Sequence, residues 1–175
     1  SDDKKKVQEN SDLQIINKIN QEFAISLDLY ETLNTALKII ISRLNAKAAN
    51  IFLINDEKKK FECIASLNQN HLDNFVLDLK DGVMAKAVEQ KKCIRVGNVR
   101  KDVREIAEFY FDLDNKTNFT TYSVLCSPLI AANECLGVIH CLNKKTESKL
   151  FIEDDRQLLE TLSSPAAMAI RNAKM

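Results

Sequence analysis

The run Asp114-x-x-Thr117-x-Phe119-x-Thr121 sets a carboxylate and two hydroxyls close together along the chain. Such a set can receive the donors of a polar ligand. It can equally cap its own loop, because Asp and Thr side chains readily satisfy nearby backbone groups. His140 alternates with Leu136, Val138 and Leu142. A lone imidazole in that position reads as a satisfied core or pocket-wall residue, with ligand sensing or metal binding as the competing roles. Lys144 and Asp155 have the charges of an ion pair tying a loop to the final helix; if exposed, it would be worth about 0–1 kcal/mol. His71 lies in a polar stretch and says little. The cysteines, Cys63, Cys93, Cys126, Cys135 and Cys141, are odd in number and include no C-x-x-C. A disulfide framework or a zinc site is therefore disfavoured, and reduced thiols in a cytoplasmic setting are expected. No Ser/His/Asp set, Cys/His set or pair of carboxylates stands out, so no catalytic residue and no metal ligand is assigned.

The composition narrows the classes further. A chain of 175 residues with 45% hydrophobic and 29% charged residues has enough apolar material for one core. Lys+Arg and Asp+Glu are equal at 25 each. That balance argues against a nucleic-acid binder, and the runs Lys4–Lys6 and Lys58–Lys60 read as solvated surface. No apolar stretch approaches the roughly 18 residues of a membrane helix. With three glycines, the chain holds no glycine-rich phosphate loop of the G-x-x-x-x-G-K-[ST] or G-x-G-x-x-G type.

These side chains need elements to hold them. Leu13, Ile16, Asn20 and Phe23 step by three, four and three, which predicts a helix over 12–24. Asp28 and Glu31 read as a capping box opening a second helix, with Leu33, Leu37, Ile40 and Leu44 on its apolar face. The period then changes to two. Strands are expected over 48–54 and 61–67 as a hairpin, with a short strand around Phe75–Leu79. Asp81 is the expected cap of a helix carrying Val83, Met84 and Ala87. A short strand at 93–96 follows, then a largely irregular stretch over 97–121 with a helical piece near 103–110. Strands over 122–130 and 135–143 precede a last helix from Glu153, whose acidic first turn suits the helix dipole. Pro165 inside that helix predicts a kink.

From Phe109 onward the sequence resembles a GAF domain, particularly those of cyclic-nucleotide phosphodiesterases and related bacterial cyclases and sensors. The resemblance rests on Phe109-Tyr110, Asp114-Asn-Lys-Thr117, Phe119, Thr121 and Leu125-Cys126-Ser-Pro128-Leu129. It continues through Leu136-Gly137-Val138-Ile139 and the family's Asn-Lys…Phe…Asp-Glu signature, matched by Asn143, Lys144, Phe151 and Asp155. Arg156 replaces the final Glu. The resemblance implies a ligand on one face of the sheet. By it, Val83 and Met84 would lie at the helix start near a phosphate, where free amides hold an anion. Ser66, in a stretch lacking the expected aromatic, would lie near a purine. Tyr110, Asp114, Thr117 and Thr121 would approach the ligand from a lid, and His140 stands where the family often has an acid.

The expected fold is α+β: a mainly antiparallel sheet of about six strands, with helices on its faces and the terminal helices packed together. Residues 1–27 are expected to form a helix or linker suited to a dimer coiled coil, and 28–175 the GAF domain. The expected role is a regulatory binding module, not an enzyme, with no required cofactor and a cyclic nucleotide as first candidate ligand. A ligand-free dimerisation and relay module is the alternative. A GAF enzyme reducing methionine sulfoxide is a remoter one, since no cysteine lies in 81–88.

Overall fold

The computed structural model describes residues 1–70, 72, 75–80 and 82–174, without the side chains of 18–26. The chain opens with a single helix, α1 (Asp2–Leu44), where two were expected. Nothing between Ala24 and Leu29 breaks a helix: there is no glycine or proline, and Asp28 stays exposed on a continuing turn. The Asp28/Glu31 capping box is therefore absent. At about 1.5 Å per residue α1 is about 65 Å long. Asn45, at φ 52°, ends it with its own N–H on the carbonyls of Ile41 and Ser42.

The strands β1 (Ala46–Asn55), β2 (Lys60–Leu67) and β3 (Val76–Asp78) form an antiparallel meander. Then come α2 (Gly82–Gln90) and β4 (Ile94–Val96). A 3-10 turn, Val99–Lys101, leads to α3 (Arg104–Thr117). The hairpin β5 (Val124–Ala131) and β6 (Glu134–Lys144) precedes α4 (Glu153–Lys174). The six strands are ordered β3-β2-β1-β6-β5-β4, each antiparallel to its neighbour. The expected α+β architecture is thus present.

One further element differs from the sequence reading. The stretch expected to be irregular holds a helix of 14 residues. Ile106, Tyr110, Leu113 and Thr117 form its buried stripe. The polar run Asp112 to Lys116 disguised the last turn, yet Thr117 belongs to it by bonding its Oγ1 to the Leu113 carbonyl at 2.7 Å. At the other end of the chain, α4 runs through Pro165, which faces solvent. Asp81 and His71 lie outside the described residues. Gly82 opens α2 at φ +73°, a conformation costly for any residue with a Cβ.

Each face of the sheet has its own core. Leu33, Leu37, Ile40 and Leu44 of α1 pack with Leu159, Ala166 and Ile170 of α4 over Ile51, Leu125, Ile139 and Cys141. On the opposite face, α2 and α3 bring Val83, Met84, Tyr110 and Leu113 against Phe52, Val124, Val138 and Leu142. The alternation over 48–54 of β1 and 138–142 of β6 allows this, because successive side chains of a strand point to opposite faces.

Candidate functional site

Antiparallel pairing sets Ser66, Asn50, His140, Cys126 and Ile94 in one transverse row across five strands. Residues directly opposite one another share a face, so this row lies under α3. Three of its members are polar within otherwise apolar surroundings.

The Tyr110 hydroxyl lies 2.7 Å from His140 Nε2. His140 Nδ1 lies 3.1 Å from Asn50 Oδ1. Asn50 Nδ2 donates to Gln69 Oε1 at 2.6 Å, and Gln69 Nε2 reaches Thr117 Oγ1 at 3.5 Å. Thr117 Oγ1 in turn donates to the Leu113 carbonyl. One proton arrangement serves the whole chain. Tyr110 donates to His140 Nε2, and Nδ1–H donates to Asn50. Each later amide or hydroxyl then accepts from one side and donates to the other. The result is a closed, directional wire that starts and ends on α3.

Burial keeps this wire neutral. His140 and Asn50 are fully buried. Desolvation holds the His140 pKa down to about 3. The Tyr110 hydroxyl is pushed well above its usual value, first by burial and then by the Cys126 and Asp114 side chains nearby. The two rings are stacked, with centroids 5.7 Å apart. A neutral, fully paired imidazole offers polar recognition and no acid–base chemistry near pH 7.

The sign of the resulting pH dependence follows from linkage. An unfolded His takes a proton as pH falls through about 6.5, whereas the folded one stays neutral until about 3. The unfolded state therefore binds more protons in this window, and stability falls with pH. Between pH 7 and pH 5 the native chain should lose about 2 kcal/mol more than a His140→Gln variant in urea denaturation. Equal losses would mean that the imidazole can protonate in place.

Asp114 and Thr121 form a second knot beside the wire. Asp114 Oδ1 accepts the Thr121 hydroxyl at 2.6 Å, and Oδ2 accepts the Thr121 N–H at 2.8 Å. Arg100 Nη2 approaches Oδ2 at 3.2 Å. The carboxylate thus anchors the end of α3 to the start of β5, which is the loop-capping role open to it from sequence. Val83 and Met84 are buried in the first turn of α2 on the same face. Ser66 Oγ donates to the Gln69 carbonyl at 2.7 Å and shapes the turn that delivers Gln69 to the wire.

The expected ligand residues thus gather on one face, but Asn50 and Gln69 were missed. Asn50 could have been found, since it interrupts the apolar run from Ala48 to Leu53. Gln69 carries no such signal, because it stands in a polar loop.

The signature residues tie the segment before β5 and the ends of α1 and α4 to the sheet. Asn143 Oδ1 accepts the N–H groups of Tyr122 and Ser123, and its Nδ2 donates to the Thr120 carbonyl. Phe151 is buried in the α1/α4 core. Lys144 Nζ bonds Asp155 Oδ1 at 3.0 Å and the Leu44 carbonyl at 2.8 Å. Asp155 Oδ2 accepts the Ile152 N–H at the start of α4.

No group of three or more His, Cys, Asp or Glu side chains placed to hold a metal occurs among the described residues. Cys93, Cys126, Cys135 and Cys141 are free thiols. Burial pushes the Cys93 thiol up to about 12 and raises Cys126, Cys135 and Cys141 as well. Thiols so placed are poor nucleophiles.

The family model of the GAF domain matches residues 26–171. The chain belongs to the GAF domain family. Its relatives include the dual 3′,5′-cyclic-AMP and -GMP phosphodiesterase 11A of Takifugu rubripes. The two are 22% identical over 180 residues, covering 97% of this chain and 20% of that protein. The chain thus spans about a fifth of that relative's length. Among solved structures, the GAF domain of a phosphoenolpyruvate-protein phosphotransferase from Coxiella burnetii superposes with a TM-score of 0.72 at 21% identity, over 93% of this chain and 94% of that one. A type II free methionine-R-sulfoxide reductase from Thermoplasma acidophilum reaches 0.66 at 14% identity, over 85% and 96%. At these identities the structural likeness concerns the fold. Among the described residues of this GAF domain, no helix is long and apolar enough to cross a membrane.

Proposed function

We propose that this GAF domain is the regulatory, small-molecule-binding part of a larger cytoplasmic signalling protein, with a 3′,5′-cyclic nucleotide, cAMP or cGMP, as first ligand. The wire from Tyr110 through His140, Asn50 and Gln69 to Thr117 carries this reading. Five polar side chains at the centre of an otherwise apolar face contribute little to stability that apolar residues would not. They do supply donors and acceptors to a polar ligand that displaces part of the wire. Both ends lie on α3, so a ligand between sheet and helix would move that helix and pull on Asp114 and Arg100. The cyclic-nucleotide phosphodiesterases among the relatives suggest the nucleotide class, and the acceptor-rich purine and phosphate fit the donors present.

A thermal-shift panel with cAMP, cGMP, other purine nucleotides and haem tests the reading. A ligand at about a hundred times its Kd adds roughly 2.7 kcal/mol, on the order of 5–10 °C for a domain of this size. A shift with a cyclic nucleotide is expected, and it should shrink in Asn50→Leu. The absence of any shift, in protein shown by native mass spectrometry to carry no ligand, would favour the second reading, a ligand-free relay. That reading draws on the complete internal pairing of the wire and on the lack of an aromatic at Ala65-Ser66. Reductase chemistry is opposed by the buried, raised thiols.

The same proposal makes residues 1–27 a dimer segment and 28–175 the sensory domain. Because α1 is continuous, the spacing 13, 16, 20, 23 extends through Leu27 and Tyr30. Leu13, Ile16, Leu27 and Tyr30 are each about half exposed. This apolar seam fits a second copy of the chain in a parallel pair. Light scattering should give twice the chain mass, and a monomer mass at all concentrations would defeat the pairing.

A further inference from the structure

A pocket lies on the face of the sheet opposite the candidate site, between β5 and α4. It encloses about 260 Å³ and is lined by Lys91, Lys92, Ser127, Glu160, Ser163 and Ser164, together with Pro128 and Ile130. Ser127 stands between Leu125 and Leu129 on the α4 side of β5. It is 1% exposed, and its Oγ has no hydrogen-bond partner. A buried hydroxyl without a partner is costly, and native structures seldom leave one without a reason. Ser163, also buried, spends its hydroxyl on the Leu159 carbonyl at 2.6 Å and so does not relieve Ser127.

The charge around this orphan is positive. Lys91 and Lys92, in the turn between α2 and β4, have no carboxylate within 4.0 Å among the described residues. The one acid lining the pocket, Glu160, is engaged: its Oε1 accepts the Cys93 N–H at 2.9 Å and Arg156 Nη1 at 2.8 Å. Arg156 is also paired with Glu153. Two free ammonium groups thus face a neutralised carboxylate and an unused hydroxyl. The volume is below the roughly 300 Å³ at which drug-sized ligand sites begin.

We propose that this pocket binds a small oxyanion, a carboxylate or a phosphate, between the two lysines and the Ser127 hydroxyl. The anion would accept from both ammonium groups and from Ser127 Oγ–H. It would also join the end of α2 to α4. Since α2 carries Val83 and Met84 of the candidate site, occupancy here would bear on the helix that helps to close the other face. The proposal stands independently of whether a cyclic nucleotide binds there.

The test is an NMR titration of the ¹⁵N-labelled chain with sodium phosphate and, separately, with sodium acetate, at ionic strength held constant with sodium chloride. Saturable amide shifts are expected at Lys91, Lys92, Ser127, Ser163 and Ser164. The Lys91→Gln/Lys92→Gln variant should weaken binding at least tenfold. Ser127→Ala should weaken it severalfold while leaving the melting temperature unchanged or raised, because it removes an unpaired buried hydroxyl. Saturation by one anion and not the other names the source. Shifts that fail to saturate with either anion, that lie elsewhere, or that persist undiminished in the double-lysine variant would overturn the site.

Discussion

Gly137→Ala is expected to leave no stable fold. Gly137 lies in β6, paired with Leu53 of β1 on one side and Leu129 of β5 on the other. A Cβ there would overlap the Phe52 carbonyl oxygen and stand 2.9 Å from Leu53 Cα. Both obstacles are backbone, and β1 cannot retreat because β2 holds its far edge. Glycine in a strand interior often marks such a close approach of two backbones. Relief would require separating the two central strands of both cores, at a cost above about 4 kcal/mol, a large share of the roughly 5–15 kcal/mol that holds an ordinary domain together. Soluble yield and urea denaturation followed by circular dichroism would report it. Gly97→Ala is the control: the added methyl would meet only Leu150 Cδ2 at 3.7 Å, so little change is expected. If the two variants behaved alike, the close contact of β1 and β6 would be wrong.

The contrast between these glycines shows what sequence could and could not convey. Period-two spacing announced β2, and near-continuous apolar runs announced β1, β5 and β6, because a strand buried on both faces needs apolar residues at successive positions. The acidic first turn announced α4. Where the chain used polar residues structurally, the signal failed. Thr117 and Asp114 complete α3 by bonding to backbone and to Thr121, and so looked like loop. Asp28 and Glu31 had the spacing of a cap, but a cap forms only where a helix starts, and nothing upstream stops α1. The site was legible in part for the same reason. His140, Tyr110 and Thr117 were indicated singly, by resemblance or by position. The wire joining them depends on the register of three strands, which places Asn50 opposite His140. Pairing register is set by the whole sheet and is not written in any local spacing. The Ser127 orphan was invisible likewise, because only the packing of α4 shows that its hydroxyl has no partner.

Lys144→Ala is expected to cost about 3–5 kcal/mol, far beyond the 0–1 kcal/mol of a surface pair. The sequence indicated the pair with Asp155 but not its burial: the two side chains are only 13% and 10% exposed. Lys144 also serves three elements at once. It extends from the end of β6, bonds the last carbonyl of α1 at Leu44, and neutralises the carboxylate that receives Ile152 N–H at the start of α4. Asn45 reinforces the junction through its side chain and its carbonyl, both bonded to Lys145. Truncation would leave Asp155 charged and largely dry, and the Leu44 carbonyl short of its donor. For a chain of this length the melting temperature should fall by roughly 6–20 °C. The double variant Lys144→Met/Asp155→Asn separates charge from packing. It removes both charges, fills the lysine's place and keeps an acceptor for Ile152. Recovery of half or more of the loss is therefore expected, because an unpaired buried charge costs more than a neutral pair. If Lys144→Ala lost less than about 1 kcal/mol, the pair would be no better than a solvated one. A double variant no better than the single would instead place the cost in the Leu44 contact. Since this junction is where both long helices meet the sheet, weakening it should also loosen α1 against α4. Hydrogen exchange at residues 38–44 and 153–160 should then rise together in Lys144→Ala, while exchange in α3, on the opposite face, stays as it was.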